Sequence, residues 1–279
     1  GSLLIASFFS KSQLLNNQVA IGSILIATIM PPGAAVTGID RTIDAFVGCA
    51  VAVVTLALIP QAPLASARAE IAKIMGLMSS VLDDVALGLS TSNPNHIREA
   101  LDLIRGTQSR IDDMAAAIQS GQESSRISPF LWSKRRSVNS LSLVIPPVDN
   151  AVRTTRVLAR RALVLCEDGD ATTEKQVEII DTLARVSLEF AELYDVNSSR
   201  AQAVVIPELV NDLRAAAQDA SMDVAGDGAV LSAYAILAQT RSLIVDMLQM
   251  CGMSRESALA ALVPTSRTPK YPPETFDLP

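Results

Sequence analysis

The residues best placed to act on a small molecule are an arginine and an acid three positions apart, Arg41 and Asp44, just ahead of a long uncharged run. A guanidinium at a membrane edge can hold a carboxylate through two parallel hydrogen bonds. A carboxyl near low dielectric has its pKa raised toward neutrality, where it exchanges protons. The pair is therefore a candidate for binding an organic anion and for proton coupling. The same spacing suits a structural ion pair that fixes a helix at the interface, and on spacing alone that is slightly the better fit. Other chemistry is poorly supplied. His96 is the one histidine, and Cys49, Cys166 and Cys251 have no short spacing, so neither a metal site nor a disulfide framework is expected. A glycine-rich phosphate loop and a serine nucleophile turn are both missing from the sequence, so the chain reads as a non-enzyme without cofactors.

The elements that must position Arg41 and Asp44 are apolar. The 279 residues are 49% hydrophobic but 4% aromatic, and mean hydropathy is +0.32. Up to Pro63 the charges are Lys11, Asp40, Arg41 and Asp44, which cancel, so the net charge of −6 lies beyond that point. An acidic remainder argues against a nucleic-acid partner, since phosphate neutralisation needs a surplus of Lys and Arg. From Ser12 to Gly38 no residue is charged, and Val19 to Met30 is almost wholly apolar. A bilayer needs about 20 largely apolar residues, so this span must also cross Asn16-Asn17-Gln18, with those amides facing other helices. Ala45 to Ala67 is uncharged, and Pro60 and Pro63 mark where its helix should stop. Pro31-Pro32-Gly33 reads as the turn between them.

The sequence thus predicts an all-α protein with a transmembrane hairpin in residues 1–63, its spans at about 12–30 and 43–60. Residues 3–9 resemble the tail of a truncated preceding span, and the start reads as a cut inside a longer protein. Gly22 and Gly48 suit close helix packing in lipid. A buried hairpin of a helical protein would also explain a short apolar run.

Residues 64–263 show amphipathic periodicity and are expected to form a cytoplasmic helical domain. Ile71, Ile74, Met78, Val81, Val85 and Leu89 make one stripe, broken at Ser92-Asn93-Pro94-Asn95. Ile97, Leu101, Ile104, Ile111, Ala115 and Ile118 make a second, read as a single helix antiparallel to the first. Gly121 to Val138 reads as a long connection, followed by a helix from near Pro147 through Val152, Leu158 and Leu165. Val177, Ile180, Ala184, Leu188 and Ala191 are in register over 173–194, and further helices are expected over about 207–220, 229–251 and 254–262. The Pro-rich tail 264–279 is expected to be disordered or extended.

Trp132, Lys134, Arg135 and Arg136 are candidates to touch anionic lipid; a solvated basic loop fits them equally well. Arg153, Arg156, Arg160 and Arg161 recur at helical spacings and are expected to pair with acids on neighbouring helices. The positive-inside rule puts the large Arg-bearing region in the cytoplasm.

The stretch GIDRTIDAFVGCAVAVV, with Arg41, Asp44 and Gly48 at spacings of three and four, resembles the fusaric acid resistance and aromatic acid exporter superfamily. So does SPFLWSKRRSVNSLSLVIPPVDNAVRTTRVLARRAL, which is similar to the corresponding part of actinobacterial members. The resemblance implies an inner-membrane exporter of aromatic carboxylic acids or related small organic anions, energised by protons, of which this chain is the C-terminal part. Two spans alone cannot build a translocation path, so homo-oligomerisation or further N-terminal spans are implied. The alternative is a membrane-tethered helical scaffold or regulatory protein without transport activity.

Overall fold

The computed structural model describes residues 43–51, 63–127, 135–195 and 202–273. Among them every regular element is helical, so the protein is all-α. The chain divides into two compact units, residues 1–61 and 62–279. Of the first, residues 43–51 are described, as a helix with every side chain exposed. Among the described residues no helix is long and apolar enough to cross a membrane. The expected span at 12–30 lies outside them, and that at 43–60 is only partly inside.

The second unit comprises α1 (Pro63–Ser90), α2 (Pro94–Arg105), α3 (Thr107–Ile127), α4 (Arg135–Glu167), α5 (Glu174–Tyr194), α6 (Gln202–Asp219), a 3-10 turn (Met222–Ala225), α7 (Leu231–Met250) and α8 (Arg255–Ala260). Helix α1 is central and packs against α2, α3, α4 and α5, because its apolar residues cover more than one stripe: Ile71, Ile74, Met75, Met78, Val81 and Leu82 are all fully buried. A second extensive seam joins α4 to α7, and α6, the 3-10 turn and α8 close around α7.

The break between α1 and α2 follows local chemistry. Asn93 caps α2 by accepting a hydrogen bond from the Asn95 N–H at 3.1 Å, and Pro94 occupies a first-turn position where its missing donor costs little. The expected single second helix is two. The backbone turns at Gly106, where the buried Thr107 hydroxyl donates to the Ile104 carbonyl at 2.6 Å. From α4 the Arg156 guanidinium donates to the same carbonyl at 3.5 Å and to the Thr107 hydroxyl at 3.3 Å. Carbonyl groups freed at the break are thus partly satisfied from outside their own helix, which a stripe of apolar residues cannot reveal.

Two further differences concern helix length. Residues 121–127, expected in a connection, continue α3, and α4 begins at Arg135 rather than near Pro147. Pro146 and Pro147 lie inside α4. Each removes a backbone donor, yet Val148, Ala151, Val152 and Leu158 beyond them are fully buried, and that burial offsets the broken ladder. In α5 the seam runs through Ser187 rather than the exposed Leu188. Ser187 is fully buried because its hydroxyl donates to the Leu183 carbonyl at 2.7 Å, leaving no polar group unpaired.

Residues 264–273 contain no helix and proceed through bends, with Lys270 over the Tyr271 ring at 5.2 Å.

Candidate functional site

Helix α7 carries an acid inside an apolar run, Ile244-Val245-Asp246-Met247-Leu248. The four apolar neighbours are buried, which draws Asp246 in with them until only 8% of it is exposed. Its remaining surface faces a groove of about 520 Å³ along α7, walled by Leu237 and Val245, by Leu259 of α8, by Leu262, and by Met222 of the 3-10 turn. Polar groups in the wall are Asp246, Gln249, Arg241, Arg255, Tyr234, Ser242 and Thr265.

Across the α4–α7 seam the Thr154 hydroxyl donates to Asp246 Oδ2 at a long 3.4 Å. Burial pushes the Asp246 carboxyl up to about 6, against which the Thr154 hydrogen bond and the Arg255 charge act only partly. Asp246 can therefore take up or release a proton near neutrality. Arg241 is a brace. Its guanidinium donates to the Ala220 carbonyl and, at 2.6 Å, to the Val263 carbonyl, tying the chain after α6 and the chain after α8 to α7. Desolvation lowers its pKa. The groove offers an apolar bed, one titratable carboxyl and one surface guanidinium at Arg255, an arrangement for binding rather than for covalent chemistry. Among the described residues no group of three or more His, Cys, Asp or Glu could hold a metal ion.

None of the described residues singled out in the sequence lines this groove. Asp44 is exposed on the helix 43–51, while Arg41 and Gly22 lie outside the described residues. Beside Gly48 the space is open, with nothing within 4 Å of an added Cβ. Trp132 and Lys134 are also outside the described residues, and Arg135 and Arg136 open α4. Of the arginine series, Arg153 pairs with Asp149 of its own helix at 2.9 Å, not with an acid on a neighbour. Arg156 meets a carbonyl and a hydroxyl, and Arg160 and Arg161 are exposed. Sequence reasoning passed over Asp246. Its signal was there, a lone acid within an apolar run, but only the packing of α4, α7 and α8 makes it the floor of a groove.

No family model matches the chain, and no solved structure does. An uncharacterized protein of Corynebacterium glutamicum is 48% identical over 276 residues, covering 99% of this chain and 70% of the relative. The chain belongs to that protein's family. The match extends across both compact units.

Proposed function

We propose that this chain is a component of an inner-membrane exporter of aromatic carboxylic acids or related small organic anions, coupled to protons, with residues 64–263 as its cytoplasmic helical domain. The observation that carries the membrane part is the helix 43–51. Phe46 is 75% exposed there, and Ile43, Val47 and Val51 are each more than half exposed. In water such side chains forfeit on the order of 1 kcal/mol each, whereas lipid accepts them, and they lie in a run uncharged from Ala45 to Ala67. The export part rests on the resemblance around Arg41, Asp44 and Gly48. In this reading Arg41 orients the anion and Asp44 exchanges the proton or holds Arg41.

Cys49 tests the membrane part. In intact vesicles a membrane-impermeant maleimide is expected to leave Cys49 unlabelled and to reach it after detergent is added; equal labelling in both conditions sinks the bilayer placement. For transport, cells expressing the chain with its natural neighbours are loaded with benzoate as a probe. Arg41→Ala and Asp44→Asn are expected to slow its efflux at least tenfold with normal insertion, and unchanged efflux in both removes their roles.

A second reading, a membrane-tethered scaffold, is favoured by one observation: Asp44 is exposed rather than enclosed among helices. It predicts that neither substitution changes efflux, and that cells with and without the chain export benzoate at the same rate.

A further inference from the structure

We propose that the outer face of α4 is a docking surface for an anionic lipid bilayer, which the helical unit uses to lie against the membrane. The proposal rests on the membrane reading above, because it needs the bilayer close at hand.

Three observations converge on α4. The first is charge. In a chain of net charge −6, this helix holds six arginines against two acids, Asp149 and Glu167. Both acids are engaged, Asp149 by Arg153 at 2.9 Å and Glu167 by Arg98 of α2 at 2.7 Å. Among the described residues no acid lies within ion-pair distance of Arg160 or Arg161, and both are exposed. Arg160 and Arg161 are therefore directed outward and uncompensated by any acid among the described residues.

The second is register. Positions 143, 146, 150, 153, 157 and 160 follow one another at intervals of three and four, and every one is exposed. They form a single stripe about 26 Å long on the side of α4 away from the core.

The third is composition within that stripe. Leu143 is 76% exposed, and Pro146 and Val157 are also open to solvent, interleaved with Asn150, Arg153 and Arg160. Apolar side chains at one end of an exposed helix face, followed by arginines on either side of Val157, suit an interface where hydrocarbon and phosphate lie a few ångströms apart. The apolar groups enter the headgroup boundary, and the guanidiniums remain at phosphate level. A protein partner of complementary charge would leave Leu143 and Pro146 opposite acids. An anionic lipid surface matches both kinds of side chain at once. The opposite side of α4 is committed to the core through Val148, Ala151, Val152 and Leu158, so the helix can dock without unfolding.

The test uses the full chain with its three native cysteines replaced by alanine and an environment-sensitive dye attached through Leu143→Cys. Vesicles are made of phosphatidylcholine alone or with phosphatidylglycerol. The dye emission is expected to shift to the blue only on the vesicles containing phosphatidylglycerol, and to return toward its aqueous value in high salt. Replacing Arg153 or Arg160 of the stripe, or Arg161 beside it, by Gln should lower the bound-to-free ratio roughly fivefold in each case. The same dye on Glu178→Cys, an exposed position of α5, should not respond.

Equal emission on both vesicle types overturns the proposal, as does a shift that grows with protein density irrespective of lipid charge, which would make the stripe a contact between copies. Alkaline carbonate extraction separates this outcome from the membrane reading. A chain that leaves the vesicles in carbonate contradicts insertion, whatever the dye reports on anionic lipid at neutral pH.

Discussion

The α1–α5 and α4–α7 seams are the two most extensive in the helical unit, and they differ in what they bury. In the first, Ile74, Met78 and Phe190 are buried with no carboxyl among them, and the Arg68 guanidinium closes one end, donating to the Leu193 carbonyl at 2.8 Å and lying over the Tyr194 ring at 5.7 Å. Across the second, Thr154 faces Asp246, and α4 adds a buried Thr155 whose hydroxyl has no hydrogen-bond partner among the described residues. An apolar seam stabilises through burial and asks only for shape. A seam with a half-satisfied carboxyl gives up stability and gains a group whose charge depends on pH. The contrast separates a region that holds the unit together from one that can respond to its surroundings.

The largest effect is expected in the apolar seam. Phe190→Ala should cost about 4 kcal/mol, since it removes a nearly fully buried ring and leaves a cavity. Urea unfolding followed by far-ultraviolet circular dichroism would show it, and a loss under 1 kcal/mol would mean the seam is loosely packed.

Next comes Asp246. Its folded pKa of about 6 stands above the ordinary 3.8, so the folded chain holds the proton more tightly than the unfolded one. Asp246's contribution to stability is then fully present below about pH 4 and is lost as pH rises through 6, by about 2 kcal/mol once screening from the groove is allowed for. Asp246→Asn keeps an acceptor for Thr154 and should abolish Asp246's part of that decline, with the unfolding midpoint higher than wild type at pH 7. Identical profiles of midpoint against pH for the two proteins between 4 and 7 would erase the distinction between the seams.

A smaller and opposite change is expected from Thr155→Val, which replaces an unsatisfied buried hydroxyl with a methyl of similar size. Stability should rise by about 1 kcal/mol. A loss measured in the same urea titration would show that the hydroxyl has a partner after all. Finally, Asn93→Ala should cost slightly less than 1 kcal/mol by removing the α2 cap, with thermal unfolding as the readout. That value calibrates a purely local effect against the three tertiary ones.

Much of this fold was legible beforehand. The stripe from Ile71 to Leu89 appears as α1, with all six named positions buried, and the break at Asn93-Pro94 falls where capping chemistry put it. Periodicity succeeds there because burial on one face is a property of each residue's own side chain. It failed at Gly106, at Ser187 and at Pro146-Pro147, where hydrogen bonding and packing, not side-chain polarity counted along the chain, decided the outcome. Arg156 of α4 supports the Gly106 break, and a hydroxyl satisfied by its own helix lets serine replace leucine in the seam.

The candidate sites divide in the same way. Arg41 and Asp44 were conspicuous as charges at the edge of an uncharged run, and Asp44 is found exposed on its helix. Asp246 was one acid among 29 acidic residues. Its neighbours in the chain hint at burial, but a raised pKa requires α4, α7 and α8 to withdraw water together.

The sequence by itself determined that the chain is helical, that its charge lies beyond an apolar first stretch, and where most of its helices run. These follow from side-chain polarity counted along the chain. Only the tertiary structure decided which acid is desolvated, which hydroxyls go unpaired and which face of α4 is left to solvent. Those properties depend on what packs against a residue, and packing partners far apart in sequence are set by the whole fold.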